Sequence, residues 1–386
     1  MEAAAGLITK RNVECTVTRE DVLALATLCD PHATAVSFGF GHITAPDDSH
    51  REEVIAIKGL MQQAMTQFAH ERTPVALSKD LHQILTVAED IRRNPARLRL
   101  VFACGDQGFW REFNLPSTGR LSFLRLGRRF YLAPLMLALQ SLAPYCVAII
   151  ESGKARAFVV RGTEIQEVTE GLAIEELRLP ADDPRVGWSK HVLKGRAEHE
   201  KEYFKNLSHR LLQLVSQEHA IGLVIGCHQD LWGEVGPQFA HLEKVIMGRF
   251  HLAHFDAEPS QLMSMAMPAF EHAQQTRVPA VLREINETPS RRALGVQDVL
   301  DALSGGRVQD LILGRLPGQT ISECKSCGRM MAVAGHNCPS CGDAEVFYMP
   351  AEEGLIRQAL LTDAEILFAE TDAVPGFNGA AARLRY

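Results

Sequence analysis

The spacing of apolar residues changes period several times along the chain. Thr18 and Asp21 stand in capping-box register, and Val22, Leu23 and Leu25 continue from them with helical spacing. Residues 33–38 are β-rich and close on Gly39 and Gly41. From Arg51 to Phe68, the positions Ile55, Ile57, Leu60, Met61, Met65 and Phe68 outline one helix face. LRLVFAC at 98–104 reads as a buried strand, and the Pro and Ala residues around 134–144 as a hinge. YCVAIIE at 145–151 and ARAFVV at 155–160, parted by Ser-Gly-Lys, give a hairpin signal.

A loop is expected over 179–194, then a helix from Gly195 with Phe204, Leu207, Leu211, Leu212 and Val215 on its apolar stripe. IGLVIG at 221–226 is a core strand, and FDAEPSQ at 255–261 a boundary loop whose Pro259 can start the next helix. The last third alternates. Val296, Val299, Leu300 and Leu303 mark a helix stopped by Gly305 and Gly306, and a strand follows at 308–313. A helix at 355–361 and a strand at 366–369 come after a cysteine-rich stretch. The pattern predicts a mixed α/β (α+β) protein of three domains. These are an N-terminal α/β domain at 1–141, a central domain at 142–256, and a C-terminal α/β domain at 257–386 with a metal ribbon inserted at 322–346.

The length of 386 residues accommodates two or three such cores. A net charge of −7 argues against holding nucleic acid by bulk field, so any such contact must be local. Two basic stretches qualify. One runs through Arg92, Arg93, Arg97, Arg99, Arg111, Arg120, Arg125, Arg128 and Arg129, against only Asp106 and Glu112. The other holds Arg185, Lys190, Lys194, Arg196, Lys201, Lys205 and Arg210, with acids interleaved. Each reads equally as a solvated face. The longest apolar runs fall short of the roughly 20 residues a membrane span needs, and no signal peptide is evident. The expectation is a cytoplasmic protein without a membrane partner.

Cys15, Cys29, Cys104, Cys146 and Cys227 are scattered in apolar surroundings and read as small buried hydrophobes. The other cysteines are different. Cys324, Cys327, Cys338 and Cys341 follow C-x2-C-x10-C-x2-C, with Gly328 and Gly342 directly after each pair. Two tight turns can thus bring paired thiolates to one tetrahedral ion, which the spacing assigns as structural Zn2+, with iron the alternative. Four thiolates leave no open position for water or substrate, and so short a ribbon cannot bury a core without its metal. No HExxH, GxSxG or P-loop is present, and GFGHIT at 39–44 lacks the third glycine of a dinucleotide fingerprint. Ser189 with His191 reads as a polar loop, and Cys227 with His228 as a buried thiol beside a capping His.

RRALGVQDVLDALSGGRVQDLIL at 291–313 resembles the opening of the C-terminal domain of archaeal and eukaryotic peptide-chain release factors and Pelota. Gly306 and Val308 keep that family's Gly-x-Val step into an apolar strand, and NGAAARLRY at 378–386 is similar to its closing segment. Archaeal members insert a zinc ribbon in this domain, and the order of parts suits the bacterial branch of the superfamily. The resemblance implies a ribosome A-site-binding factor. Its partners would be ribosomal RNA and tRNA, with elongation factor Tu or another translational GTPase as accessory.

Active release factors carry Gly-Gly-Gln on a central-domain loop. The corresponding stretch here, DDPRVGWSKHVLKGR at 182–196, has Gly187 and Gly195 but neither paired glycines nor glutamine. The Asn-Ile-Lys-Ser stop-codon motif is also missing. The resemblance therefore implies rescue or hibernation of ribosomes by a non-enzyme, without peptidyl-tRNA hydrolysis. Within this stretch Arg185, Trp188, Lys190, His191, Lys194 and Arg196 combine cations for phosphates with a ring for base stacking, the makings of an RNA contact. The alternatives are a peptidyl-tRNA hydrolase with a substitute loop around His191, and an RNA-binding module unconnected with ribosomes.

Overall fold

The computed structural model describes residues 13–14, 17–28, 34–41, 51–67, 75–91, 97–116, 121–151, 154–162, 164–168, 190–332, 337–369 and 377–386. The chain divides into two compact units, one of residues 1–140 with 281–386 and one of residues 141–280. Both are mixed α/β.

In the first unit, strands β1 (Val13–Glu14), β2 (Ala35–Gly41), β3 (Arg97–Cys104), β4 (Phe109–Pro116) and β5 (Leu121–Gly127) form one sheet in the order β1-β4-β3-β2-β5. Helices α1 (Arg19–Thr27), α2 (Arg51–Gln67), α3 (Val75–Ile91) and α4 (Ala133–Ser141) accompany it. The expected capping box starts α1, with the Thr18 hydroxyl accepting from the Asp21 N–H and the Asp21 carboxylate accepting from the Thr18 N–H. β2 runs through Gly39 and ends at Gly41, the second of the two glycines expected to close it. The Phe123 ring of β5 lies where a Cβ on Gly39 would stand, at 2.1 Å, so the glycine admits a neighbouring ring rather than turning the chain. On α2, Ile57 and Ala64 are buried with Leu60, Met61 and Met65 against them, whereas Ile55 is exposed, contrary to the periodic reading. The expected hinge near 134 is helix α4, because Pro134 sits in the first turn, where a missing N–H costs nothing.

The second unit holds β6 (Tyr145–Glu151), β7 (Lys154–Arg161), β8 (Glu164–Glu167), β9 (Leu223–Cys227) and β10 (Ile246–His251), in the order β10-β9-β6-β7-β8. β6, β9 and β10 are parallel, and the expected hairpin β6–β7 is antiparallel. Helix α5 (Lys190–Gln217) and helix α6 (Gln229–Gln238) cover one face, with Phe204, Leu207, Leu211 and Val215 buried on it. Leu212, expected on the same stripe, is partly exposed. α5 starts five residues before Gly195. KHVLK contains no helix breaker, and an internal glycine costs only about 1 kcal/mol. The other face is covered by the first part of α7 (Pro259–Glu287), whose Leu262 and Ala266 are buried against it.

The C-terminal part of the first unit contains β11 (Arg292–Leu294), helix α8 (Gly295–Ser304), β12 (Val308–Leu313), β13 (Thr320–Cys324), β14 (Met330–Met331), β15 (Val346–Pro350), helix α9 (Ala351–Leu361), β16 (Glu365–Phe368) and β17 (Ala380–Leu384). Two sheets result, β11-β17-β12-β16 and the ribbon β14-β13-β15. The closing AAARL is a central strand, antiparallel to both β11 and β12, which its short side chains permit under packed helices.

Candidate metal centre

The two CxxC turns are built alike. In each, the backbone N–H of the following glycine donates to the carbonyl of the first cysteine: Gly328 to Cys324 at 2.9 Å and Gly342 to Cys338 at 2.8 Å. The first cysteine N–H donates onward, Cys324 to the Arg329 carbonyl at 2.9 Å and Cys338 to that of Asp343 at 2.7 Å. Both glycines have φ near +72° and +79°, the left-handed region a side chain would strain. Arg329 Nη1 donates to Ser340 Oγ at 2.7 Å and Ser326 to Asp343, so each turn also holds the other.

The four sulfurs lie within 4.8 Å of one another, with Cys324–Cys341 and Cys327–Cys338 both at 3.5 Å. A tetrahedron with Zn–S bonds of about 2.3 Å has sulfurs about 3.8 Å apart, so the cradle fits one such ion. The backbone N–H groups of Ser340 and Cys341 point at the Cys338 sulfur and bring its pKa down to about 6, favouring the thiolate that a metal needs. Cys324 and Cys338 are buried with Met331 against Val346 in a small apolar cluster at the cysteine end of the ribbon. His336 lies outside the described residues.

The scattered cysteines Cys104, Cys146 and Cys227 are buried as expected, and Cys15 and Cys29 lie outside the described residues. Burial raises the Cys227 thiol, which disfavours the thiolate that a nucleophile needs. His228 occupies the N-cap position of α6 but makes no capping hydrogen bond. Its Nδ1 instead lies 3.4 Å from the Asp230 carboxylate, because the exposed imidazole is free to turn outward.

The two basic stretches fare differently. In the first, Arg99 pairs with Glu112 at 2.5 Å, Arg111 with Asp21 at 2.5 Å, Arg125 with Glu353 at 2.9 Å and Arg129 with Glu323 at 2.6 Å. Three of these acids lie far along the chain, so the charge of these four arginines is matched in space by acids that, Glu112 apart, the local sequence does not show. In the second, Arg185 and Trp188 lie outside the described residues, while Lys190, His191, Lys194 and Arg196 fall in the first two turns of α5. Among the described side chains, the buried contacts of α5 run from Tyr203 to Val215, about 18 Å of a helix about 42 Å long. Its first turn carries no acid. Sequence reasoning missed a second cluster in this unit, where Arg249 stacks over Trp232 at 4.2 Å and His251 meets His228 edge-on at 5.2 Å. The period-2 alternation of β10 could have placed Arg249 and His251 on one face.

Residues 131–271, all strands and helices α5 and α6 of the central unit included, match the model of bacterial archaeo-eukaryotic release factor family 10. That match covers 141 of the 386 residues. Among solved structures, it is similar to the archaeal translation termination factor aRF1, at 14% identity over 96% of this chain and 99% of that one, with a TM-score of 0.25. It is also similar to the Dom34 protein of S. cerevisiae, at 10% identity over 96% of this chain and 92% of that one, with a TM-score of 0.36. The C-terminal domain of a peptide chain release factor from Methanosarcina mazei is 25% identical over 34% of this chain and 97% of that one, with a TM-score of 0.22. No curated protein sequence matches. Among the described residues no helix is long and apolar enough to cross a membrane.

Proposed function

We propose that this protein occupies the ribosomal A site as a release-factor-like subunit of rescue or hibernation, without hydrolysing peptidyl-tRNA. The observation that carries the reading is the family match over residues 131–271 in a chain that has no Gly-Gly-Gln. The stretch 182–196 takes the place of the catalytic loop. In this reading Arg185, Lys190, Lys194 and Arg196 meet RNA phosphates, His191 assists them, and Trp188 stacks on a base. Cations gathered at a helix N-terminus oppose the helix macrodipole, and a bound polyanion relieves that conflict.

Cys324, Cys327, Cys338 and Cys341 hold a structural zinc ion that stiffens the C-terminal domain and takes no part in bond making. The three-part division at 1–141, 142–256 and 257–386 is our functional assignment: decoding-side contact, A-site arm and partner docking. Delivery by elongation factor Tu or another translational GTPase, and residence in the cytoplasm, complete the reading.

The test is sedimentation of the tagged protein with ribosomes from growing and stationary cells, together with a peptide-release assay on stalled complexes. Ribosome association with no release is expected, and association that rises in stationary cells marks hibernation. Release that is lost in His191→Ala would replace this reading with the hydrolase.

A further inference from the structure

The residue immediately before the first cysteine does work that the metal site alone does not explain. Glu323, in β13, is 2% exposed, and its carboxylate receives Arg129 Nη2 at 2.6 Å and Nε at 3.2 Å. Arg357 of α9 approaches the same carboxylate at 3.5 Å. Both arginines reach further. Arg129 Nη1 donates to the Leu28 carbonyl at 3.3 Å, and Arg357 Nε to the Ala26 carbonyl at 3.0 Å. These carbonyls belong to the C-terminal end of α1, where helix geometry leaves acceptors without intrahelical partners. One buried carboxylate thus joins the metal ribbon, α9, the end of β5 and the end of α1.

What holds Glu323 in place is the ribbon. It pairs with Met330 of β14 on one side and Phe347 of β15 on the other. β14 lies between the two cysteine pairs, and the Cys324 N–H donates to the Arg329 carbonyl beside it. At its cysteine end the ribbon has only the small cluster of Cys324, Met331, Cys338 and Val346, with Met330 buried beside α9, so the two turns that flank β14 depend on the metal. A cleft of about 1060 Å³ runs along this junction, with Arg129, Glu323, Arg125, Glu353 and Phe347 among its walls.

We infer that the metal ion is a latch between the N-terminal sheet and the C-terminal domain. Metal-loaded, the ribbon presents Glu323 to Arg129 and Arg357 and keeps α1 and β5 docked. Without metal, β14 separates from β13, Glu323 loses its backbone support, and the two arginines lose their common acceptor. The inference requires that the four cysteines bind metal, and it does not depend on ribosome binding.

Hydrogen exchange on the full-length chain tests it, in three samples: zinc-loaded, chelated, and zinc-loaded Glu323→Gln, with zinc content measured in each. Stripping the metal should speed exchange at 24–28 and 125–131 by about tenfold or more, while β6 and β9 of the other unit keep their protection. Glu323→Gln, with its zinc retained, should reproduce the change at 24–28 and 125–131. Zinc-bound protein that keeps its protection when stripped overturns the latch alone, as does Glu323→Gln without effect. A chain that takes up no zinc overturns the metal site and the latch together. If chelation exposes β6 and β9 as well, the Glu323→Gln sample decides.

Discussion

Replacing Lys190 and Lys194 by glutamate is the perturbation on which the RNA reading of α5 depends most. At about 100° per residue, positions 190, 194, 201 and 205 fall within about 60° of one another on the helix, and they span about 22 Å along it. Lysine occupies all four, and Lys201 and Lys205 are exposed, off the buried stripe of Phe204, Leu207 and Leu211. A stripe of that length can meet about four successive phosphates. For single-stranded RNA each neutralised phosphate contributes about −0.7 to the slope of log K against log salt, so four give about −3. The double variant should reduce the steepness by about 1.5 and weaken ribosome binding at low salt by about tenfold or more. It should not unfold the helix, because glutamate in the first turn favours the macrodipole by about 0.3–1 kcal/mol per residue. The assay is a binding titration on purified ribosomes at several salt concentrations. The control is Lys58→Glu with Lys244→Glu, two exposed lysines carrying the same charge change elsewhere. An unchanged slope in the α5 variant, or an equal loss in the control, would refute the reasoning.

Other outcomes follow from single sites. Purified protein should contain one zinc ion per chain, and Cys338→Ser should lose it, as elemental analysis will show. Burial raises the Glu353 carboxyl from 4.5 to about 7, with the Arg125 guanidinium pulling the other way. The folded chain therefore holds a proton there that the unfolded chain has lost, and this contribution to stability falls as pH rises from about 4.5 to 7. Glu353→Gln should flatten the fall in thermal unfolding temperature over that window, a difference of about 3 kcal/mol at most; an unchanged pH profile would show that Arg125 keeps the carboxylate ionised. Gly39→Ala puts a methyl group into the Phe123 ring and should cost about 1–3 kcal/mol in chemical denaturation.

Much of the fold was legible in the chain because local chemistry and tertiary packing agree there. Val308–Leu313 is mostly apolar, follows the glycine pair 305–306 and becomes β12 with the expected limits. The Thr18 cap and the hairpin of β6 and β7 are likewise local signals that the structure keeps. The failures have tertiary causes. Gly39 reads as a stop until Phe123, from another strand, is placed over it. Ile55 reads as core, yet helix periodicity fixes only a face and not the depth to which its neighbours cover it. The cysteine centre was readable because its ligands sit within 18 residues (324–341), on two turns that fix themselves. The arginine stretch at 91–130 was not, since the acids that neutralise Arg125 and Arg129 lie about 200 residues further on (separations of 228 and 194). Alternation along β10 could place Arg249 and His251 on one face, but their partners Trp232 and His228 come from helix α6 and its N-cap and meet them only in three dimensions.

The measurement that bears most directly on the central claim is binding to purified ribosomes with the A site empty and with the A site filled by tRNA. Occupancy of the A site predicts tight association with the empty ribosome, competition by the tRNA, and no peptide released in the process. Equal binding to both forms would place the protein elsewhere on the ribosome and contradict the account.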